Sequence, residues 1–113
     1  MAERIYTRRD RVTNKALSDL AVALCADFER RQRAIIEKSA SRRVTMEYSY
    51  INTRMLLAAS EIVGLGDAER FIYEIGHGVG YAQSEIAYRS ESNYKIMKMR
   101  VKANILRRLH LCD

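Results

Sequence analysis

Short polar side chains followed by lysines at helical spacing occur near the end of the chain. Ser90, Ser92 and Asn93 can each donate and accept hydrogen bonds, and Lys95 and Lys98 follow them. Hydroxyl and amide groups bind phosphate oxygens and base edges, whereas ammonium groups bind phosphates. These residue types therefore predict contacts with nucleic acid. With two further cations of the same segment, the candidate set is Arg89, Ser90, Ser92, Asn93, Lys95, Lys98 and Lys102.

The net charge of +6 is concentrated at the two ends of the sequence. Residues 1–43 carry eleven Lys and Arg against six Asp and Glu (+5), residues 44–88 carry two against six (−4), and residues 89–113 carry seven against two (+5). If the two ends meet in the fold, they form one basic surface suited to double-stranded DNA. The alternative, that these charges only solvate helix faces, stays open. Secondary phosphate contacts are expected from Arg8, Arg9 and Arg11.

Catalytic and metal-binding chemistry has little support in the sequence. Of the two histidines, His77 lies in a glycine-rich connection and His110 near the C-terminus, and neither has enough partners at the spacing of zinc ligands. No serine lies in a nucleophile-elbow pattern. We therefore expect a protein that is not an enzyme and has no cofactor, metal or small-molecule substrate. The carboxylates expected only at helix caps and on solvent faces are Glu61, Asp67, Glu69 and Glu74.

The cysteines and the hydropathy pattern indicate a cytoplasmic protein. Cys25 and Cys112 are far apart and give no disulfide framework. No apolar run approaches the roughly 18 residues of a membrane span. The first ten residues are charged and lack the apolar region of a signal peptide. We expect neither a membrane partner nor an oxidising compartment.

Helices are the expected elements, because the chain has no proline and only five glycines. Thr13 or Asn14 can cap a first helix, Asp67 a third, and Ser90 or Ser92 the last. The sequence predicts an all-α fold, a small bundle of about five helices with a C-terminal helix-turn-helix-like segment. The predicted helices are a first one up to the turn at 38–43, a second over 44–63, a short third from residue 67, a fourth over 81–88 and a fifth over 93–110.

One folded domain is the expectation for a chain of 113 residues. Residues 1–12 are polar and basic and are predicted to form an N-terminal arm. Residues 13–113 are predicted to form a single helical domain. Within it, residues 13–63 would form an N-terminal helical pair and residues 67–113 the helix-turn-helix-like part.

The predicted last helix has two apolar faces on nearly opposite sides. One face holds Tyr94, Val101 and Ile105, and the other holds Ala103 and Leu106. A helix that is apolar on two sides must be covered twice. The second cover could come from the N-terminal helices or from another subunit. A homodimer is expected because specific DNA sites usually consist of two half-sites, and either this helix or the helix with the apolar stripe between Tyr48 and Ile62 could form its interface.

A helix-turn-helix needs a short bracing helix, a tight turn and a helix that enters the major groove. The pieces SEIA, YRSES and the basic helix occur here in that order, within residues 84–109. Over residues 69–109 the sequence resembles the sigma-factor region-four-like helix-turn-helix, and most of all the ArpU-type phage transcriptional regulators. The residues that carry the resemblance are Gly80, Tyr81, Glu85, Ile86, Ala87, Ser90, Tyr94, Lys95, Lys98, Ala103, Leu106 and Leu109.

The resemblance implies a small DNA-binding transcriptional regulator, derived from a phage or mobile element, that inserts the start of helix 93–110 in the major groove. The turn departs from the family pattern, because Tyr88 and Arg89 lead directly to Ser90 without the usual Leu and Gly. The alternative is a non-enzymatic helical interaction or assembly protein, such as a phage structural or adaptor component, with a degenerate helix-turn-helix.

Overall fold

The computed structural model describes residues 14–88 and 90–112, and within them every regular element is helical. The all-α prediction is confirmed. A 3₁₀ turn, Tyr81–Gln83, lies between the last two helices of this described part. Its five α-helices are α1 (Lys15–Ala26), α2 (Phe28–Glu37), α3 (Arg42–Val63), α4 (Leu65–His77) and α5 (Glu91–Arg108).

Helix starts follow the predicted capping residues in two of three places. Asn14 Oδ1 accepts hydrogen bonds from the backbone N–H groups of Ala16 and Leu17, and Ser90 Oγ accepts from that of Asn93. Such bonds satisfy N–H groups that have no partner within a helix. Asp67, in contrast, is not a cap: α4 begins earlier, at Leu65, and Asp67 lies in its first turn.

The predicted first helix is two helices, because the chain turns at Asp27. Asp27 separates α1 from α2 and accepts side-chain hydrogen bonds from Arg30 and Arg31. The two helices have different partners: α1 packs mainly on α4 and α5, whereas α2 packs mainly on α3. Both helices turn apolar side chains towards the core, so the apolar spacing continues across Asp27. For this reason the spacing alone predicts one helix instead of two.

The predicted fourth helix over 81–88 is wrong. Only the 3₁₀ turn forms, and Ser84 already has extended backbone, with φ −68° and ψ 142°. The Ser84 hydroxyl and the Glu85 backbone N–H both donate to the carboxylate of Glu74 on α4, and the Ile86 N–H donates to Ser84 Oγ. These side-chain acceptors replace the i→i−4 carbonyls that a helix would use. The bracing helix of the predicted helix-turn-helix is therefore absent from this segment.

One hydrophobic core joins the two predicted parts of the domain. It takes Phe28 and Met55 from the first part and Phe71, Tyr94 and Ile105 from the second. Both apolar faces of α5 are covered within the chain. The buried residues are Val101 and Ile105 on one side and Ala103 and Leu106 on the other. The apolar faces of α5 therefore leave no large uncovered stripe for a second subunit.

Helices α1 and α4 are in close backbone contact at Gly76. A Cβ atom added there would lie 2.6 Å from the backbone atoms Ala26 N and Cys25 C. Neither helix can yield at that point without moving its backbone. Gly66, in the first turn of the same helix, has open space around the corresponding position.

Gly76→Ala is expected to lower the free energy of unfolding by about 2 kcal/mol or more, because overpacking forces the helices apart. Gly66→Ala, the matched control, is expected to be neutral or to stabilise by up to about 1 kcal/mol, because alanine favours the helix. Urea denaturation followed by circular dichroism measures both. Equal effects of the two substitutions would contradict the close approach.

Candidate nucleic-acid interface

The first turns of α5 carry three of the candidate residues on their exposed side. Ser92 and Asn93 are exposed, and the Lys95 side chain is 66% exposed although its Nζ lies 3.0 Å from Glu91 Oε2. Between them Tyr94 is only 1% exposed. The helix is thus held on one side by a buried aromatic ring and presents short polar groups and an ammonium group on the other. Ser90 serves the same turn as its cap.

A fully buried carboxylate, Glu74 of α4, fixes this end of α5. Glu74 Oε1 accepts from the Tyr94 hydroxyl at 2.6 Å and from the Ser84 hydroxyl at 2.6 Å. Glu74 Oε2 accepts from the Glu85 N–H at 2.9 Å and from Arg70 Nε at 3.2 Å. A buried charge is tolerated only with partners of this kind. The carboxylate therefore ties α4, the 84–88 segment and α5 together.

Burial acts to raise the pKa of Glu74, but the hydrogen bonds outweigh it. The donors are Ser84, Tyr94, the Glu85 backbone and Arg70, and together they hold the pKa of Glu74 below its usual value. Glu74 is therefore ionised near neutral pH. The expectation that it lies on a solvent face is wrong, because its side chain points into the core. The sequence does contain a sign of this burial: Phe71 and Ile75 mark the inward side of α4, and Glu74 lies next to Ile75 and three residues after Phe71.

On α5, the partner of this carboxylate is the hydroxyl of Tyr94. Burial, followed by its hydrogen bond to Glu74, raises the pKa of Tyr94 to about 12. Its ring packs against Phe71, Tyr81 and Tyr88, with centroid distances of 5.9, 5.8 and 6.4 Å. Aromatic packing and a charge-assisted hydrogen bond thus act on one side chain.

The remaining predicted lysines, Lys98 and Lys102, are half-buried and bind oxygen atoms of the protein. Lys98 Nζ donates to the Val79 carbonyl at 2.7 Å and lies 4.9 Å from the centre of the Tyr94 ring. Burial, and then the neighbouring Lys102, lowers the pKa of Lys98. Lys102 Nζ donates to Ser18 Oγ of α1 at 3.0 Å. The structure therefore separates these two lysines from the exposed group at Ser92, Asn93 and Lys95. Arg89, Arg8, Arg9 and Arg11 lie outside the described residues.

The described beginning of the chain lies against its C-terminal helix. The Ser18–Lys102 hydrogen bond joins the first turns of α1 to the second half of α5, and the two helices pack along this contact. Helix α1 has one Lys and one Asp, so this contact adds no net charge to the basic side of α5.

A second buried polar network, which the sequence did not indicate, joins α2 to α3. Arg31 is 3% exposed; its Nε donates to Asn52 Oδ1 at 2.7 Å and its NH2 to the Leu24 carbonyl at 2.7 Å. Asn52 in turn donates to the Phe28 carbonyl. Asn52 and Phe28 are buried and Leu24 is partly buried, so this network supports the packing of α2 on α3.

Away from α5, the described residues form no metal-ligand cluster, and one groove beside α4 is lined by ionisable side chains. Within residues 14–88 and 90–112, no three His, Cys, Asp or Glu side chains are placed to hold a metal ion. A groove of about 470 Å³ between the α1–α2 junction and α4 is lined by Cys25, Glu29, Tyr73 and His77 among others. Burial raises the pKa of Cys25 to about 12, which keeps its thiol protonated and unreactive. None of the described helices is long and apolar enough to cross a membrane.

Comparison with models of protein families, with curated proteins and with solved structures finds no match to this chain.

Glu74→Gln is expected to lower the free energy of unfolding at neutral pH by about 1–3 kcal/mol, because it weakens four hydrogen bonds to a buried acceptor. The folded-state pKa of Glu74 is depressed, so its stabilisation is present above the unfolded value of about 4.3 and is lost as pH falls through the folded value. The difference between wild type and variant should therefore shrink in acid. Urea denaturation at a series of pH values measures it.

Glu69→Gln is the matched control, because Glu69 lies on the same helix and is exposed. It is expected to change the free energy of unfolding by less than about 0.5 kcal/mol. If Glu74→Gln is as mild as Glu69→Gln, Glu74 does not hold this region together.

Proposed function

We propose that this chain binds double-stranded DNA and places the first turns of α5 against the major groove. The observation that carries the proposal is the exposure of Ser92, Asn93 and Lys95 around the buried anchor Tyr94. A major groove about 12 Å wide admits an α-helix, and side chains near the start of that helix reach the base edges. Asn93 is suited to read a base, and Lys95 to bind a phosphate.

Preorganisation supports the same proposal. The buried hydrogen bond between Glu74 and Tyr94 holds the start of α5 on its inward side. The exposed side chains of this turn therefore need little further ordering when DNA binds. A contact made by groups that are already ordered loses less conformational entropy. The anchor replaces the bracing helix that the family pattern uses.

Charge supports binding to a polyanion. The net charge is +6, and α5 alone carries six Lys and Arg against one Glu. Neutralising phosphates releases counterions, so binding should weaken steeply as salt rises. A role in transcription and a phage or mobile-element origin are proposed from the sequence resemblance alone. A site made of two half-sites would call for a homodimer.

Lys95→Glu is expected to weaken binding to a duplex about tenfold and to reduce the slope of log affinity against log salt by about one or more, because a phosphate contact is lost. Fluorescence anisotropy with a labelled duplex at several salt concentrations measures both quantities.

Lys15→Glu is the matched control. Lys15 and Lys95 each lie 3.0 Å from an acidic side chain one turn away, and both are exposed. The two substitutions therefore make the same change of charge and break the same kind of ion pair. The proposal requires that Lys95→Glu lose more affinity for the duplex than Lys15→Glu. Equal losses of affinity would show only a general effect of charge and would contradict the placement of α5 in the major groove.

A second candidate function is a helical interaction or assembly protein. It is favoured by the hairpin of α2 and α3, where no residue from 33 to 50 is buried and the apolar side chains Ile36, Met46 and Tyr50 are 70%, 64% and 49% exposed. Light scattering with and without DNA separates the two candidates. A stable oligomer that does not bind DNA would favour assembly.

A further inference from the structure

The outer side of α3 carries an apolar stripe that nothing in the described chain covers. Met46, Tyr50 and Leu57 are 64%, 49% and 46% exposed. Buried residues of the same helix, such as Met55 and Ala59, face α2 and α4 on the other side. Exposed apolar side chains that recur along one helix face mark an interaction surface more often than isolated ones do.

The stripe contains a projecting apolar side chain and, separately, a shallow depression that is lined mainly by apolar side chains. Leu57 projects from the C-terminal half of α3. A shallow depression of about 380 Å³, lined by Met46, Glu47, Tyr50 and Ile51, lies in the N-terminal half. Met46 and Leu57 are eleven residues apart, which is about three turns or roughly 16.5 Å along the helix, so they point to the same side.

The charges at the two ends of α3 are the reverse of what its own dipole favours. The first turn contains Arg42 and Arg43 and no acidic residue, and the last turn contains no basic residue. Glu61, near the C-terminal end, keeps 43% of its side chain exposed although it binds Arg108. Cations near the positive end of a helix and an anion near its negative end are unfavourable, and within one copy the exposed pairs Arg43–Glu47 and Arg108–Glu61 offset this only in part. An antiparallel neighbour converts both into favourable contacts.

We infer that two copies of this chain pair antiparallel through the outer side of α3. A two-fold axis perpendicular to the helix, passing between residues 51 and 52, places Leu57 of each copy opposite Met46 in the depression of the other. The same operation brings Arg42 and Arg43 of each copy towards Glu61 of the other. A two-fold interface uses one surface twice, and this surface is complementary to itself. The pairing holds for either candidate function.

Sedimentation equilibrium without DNA tests the pairing, so its failure is separate from a failure of DNA binding. The wild type is expected to associate towards twice its chain mass of 13.1 kDa. Leu57→Asp should raise the dimer dissociation constant at least about tenfold, because a carboxylate would enter a largely apolar depression that Glu47 also lines. Leu65→Asp is the matched control, since Leu65 is 83% exposed and lies outside the stripe; it should leave the dissociation constant unchanged. Circular dichroism checks that both variants fold.

Cysteine pairing tests the antiparallel arrangement. Thr53 is exposed and lies three residues after Tyr50, on the same side of α3. In the background Cys112→Ser, copies carrying Thr53→Cys are mixed with copies carrying Tyr50→Cys and are mildly oxidised. The axis sets residue 50 of one copy opposite residue 53 of the other, so the mixture should cross-link more than either variant alone.

Equal cross-linking of the mixture and of the separate variants would overturn the antiparallel arrangement. A wild type that stays monomeric up to its solubility limit, or a dimer that Leu57→Asp does not weaken, would overturn the pairing itself.

Discussion

A buried carboxylate organises the C-terminal half of this protein. Glu74 has no exposed surface and accepts four hydrogen bonds, two of them at 2.6 Å. Its partners come from its own helix, from the non-helical segment at 84–88 and from Tyr94 of α5. An unpaired charge at that depth would be costly, so all partners must be present together. The position of α5, and with it the exposed group proposed to meet DNA, depends on this one side chain.

Local signals are enough to predict much of the fold. The apolar stripe of α3 between Tyr48 and Ile62, the apolar faces of α5, and the caps Asn14 and Ser90 all act within a few residues, so the sequence displays them directly. The segment 81–88 cannot be predicted in this way. Its residues favour a helix locally, but the acceptor that pulls Ser84 and Glu85 out of helical geometry is ten residues or more away, on α4. Tertiary contacts decide against the local preference.

The candidate site is predicted only in part, for a related reason. Spacing along the sequence treats Lys95, Lys98 and Lys102 as equivalent cations. Packing separates them, because Lys98 and Lys102 lie where α5 meets the 79–88 connection and α1, and their ammonium groups bind oxygens of the protein. Lys95 lies where nothing in the described chain covers the helix. The surface proposed for DNA is therefore smaller and more sharply placed than the sequence indicates.

The most direct measurement is the mapping of amide chemical shifts in the ¹⁵N-labelled protein during titration with a short DNA duplex. We predict that the largest changes fall on the backbone amides of residues 90–96, that those of the α2–α3 hairpin change less, and that the changes fade as salt is raised. Shift changes absent from the start of α5, in a protein that still binds the duplex, would contradict the account.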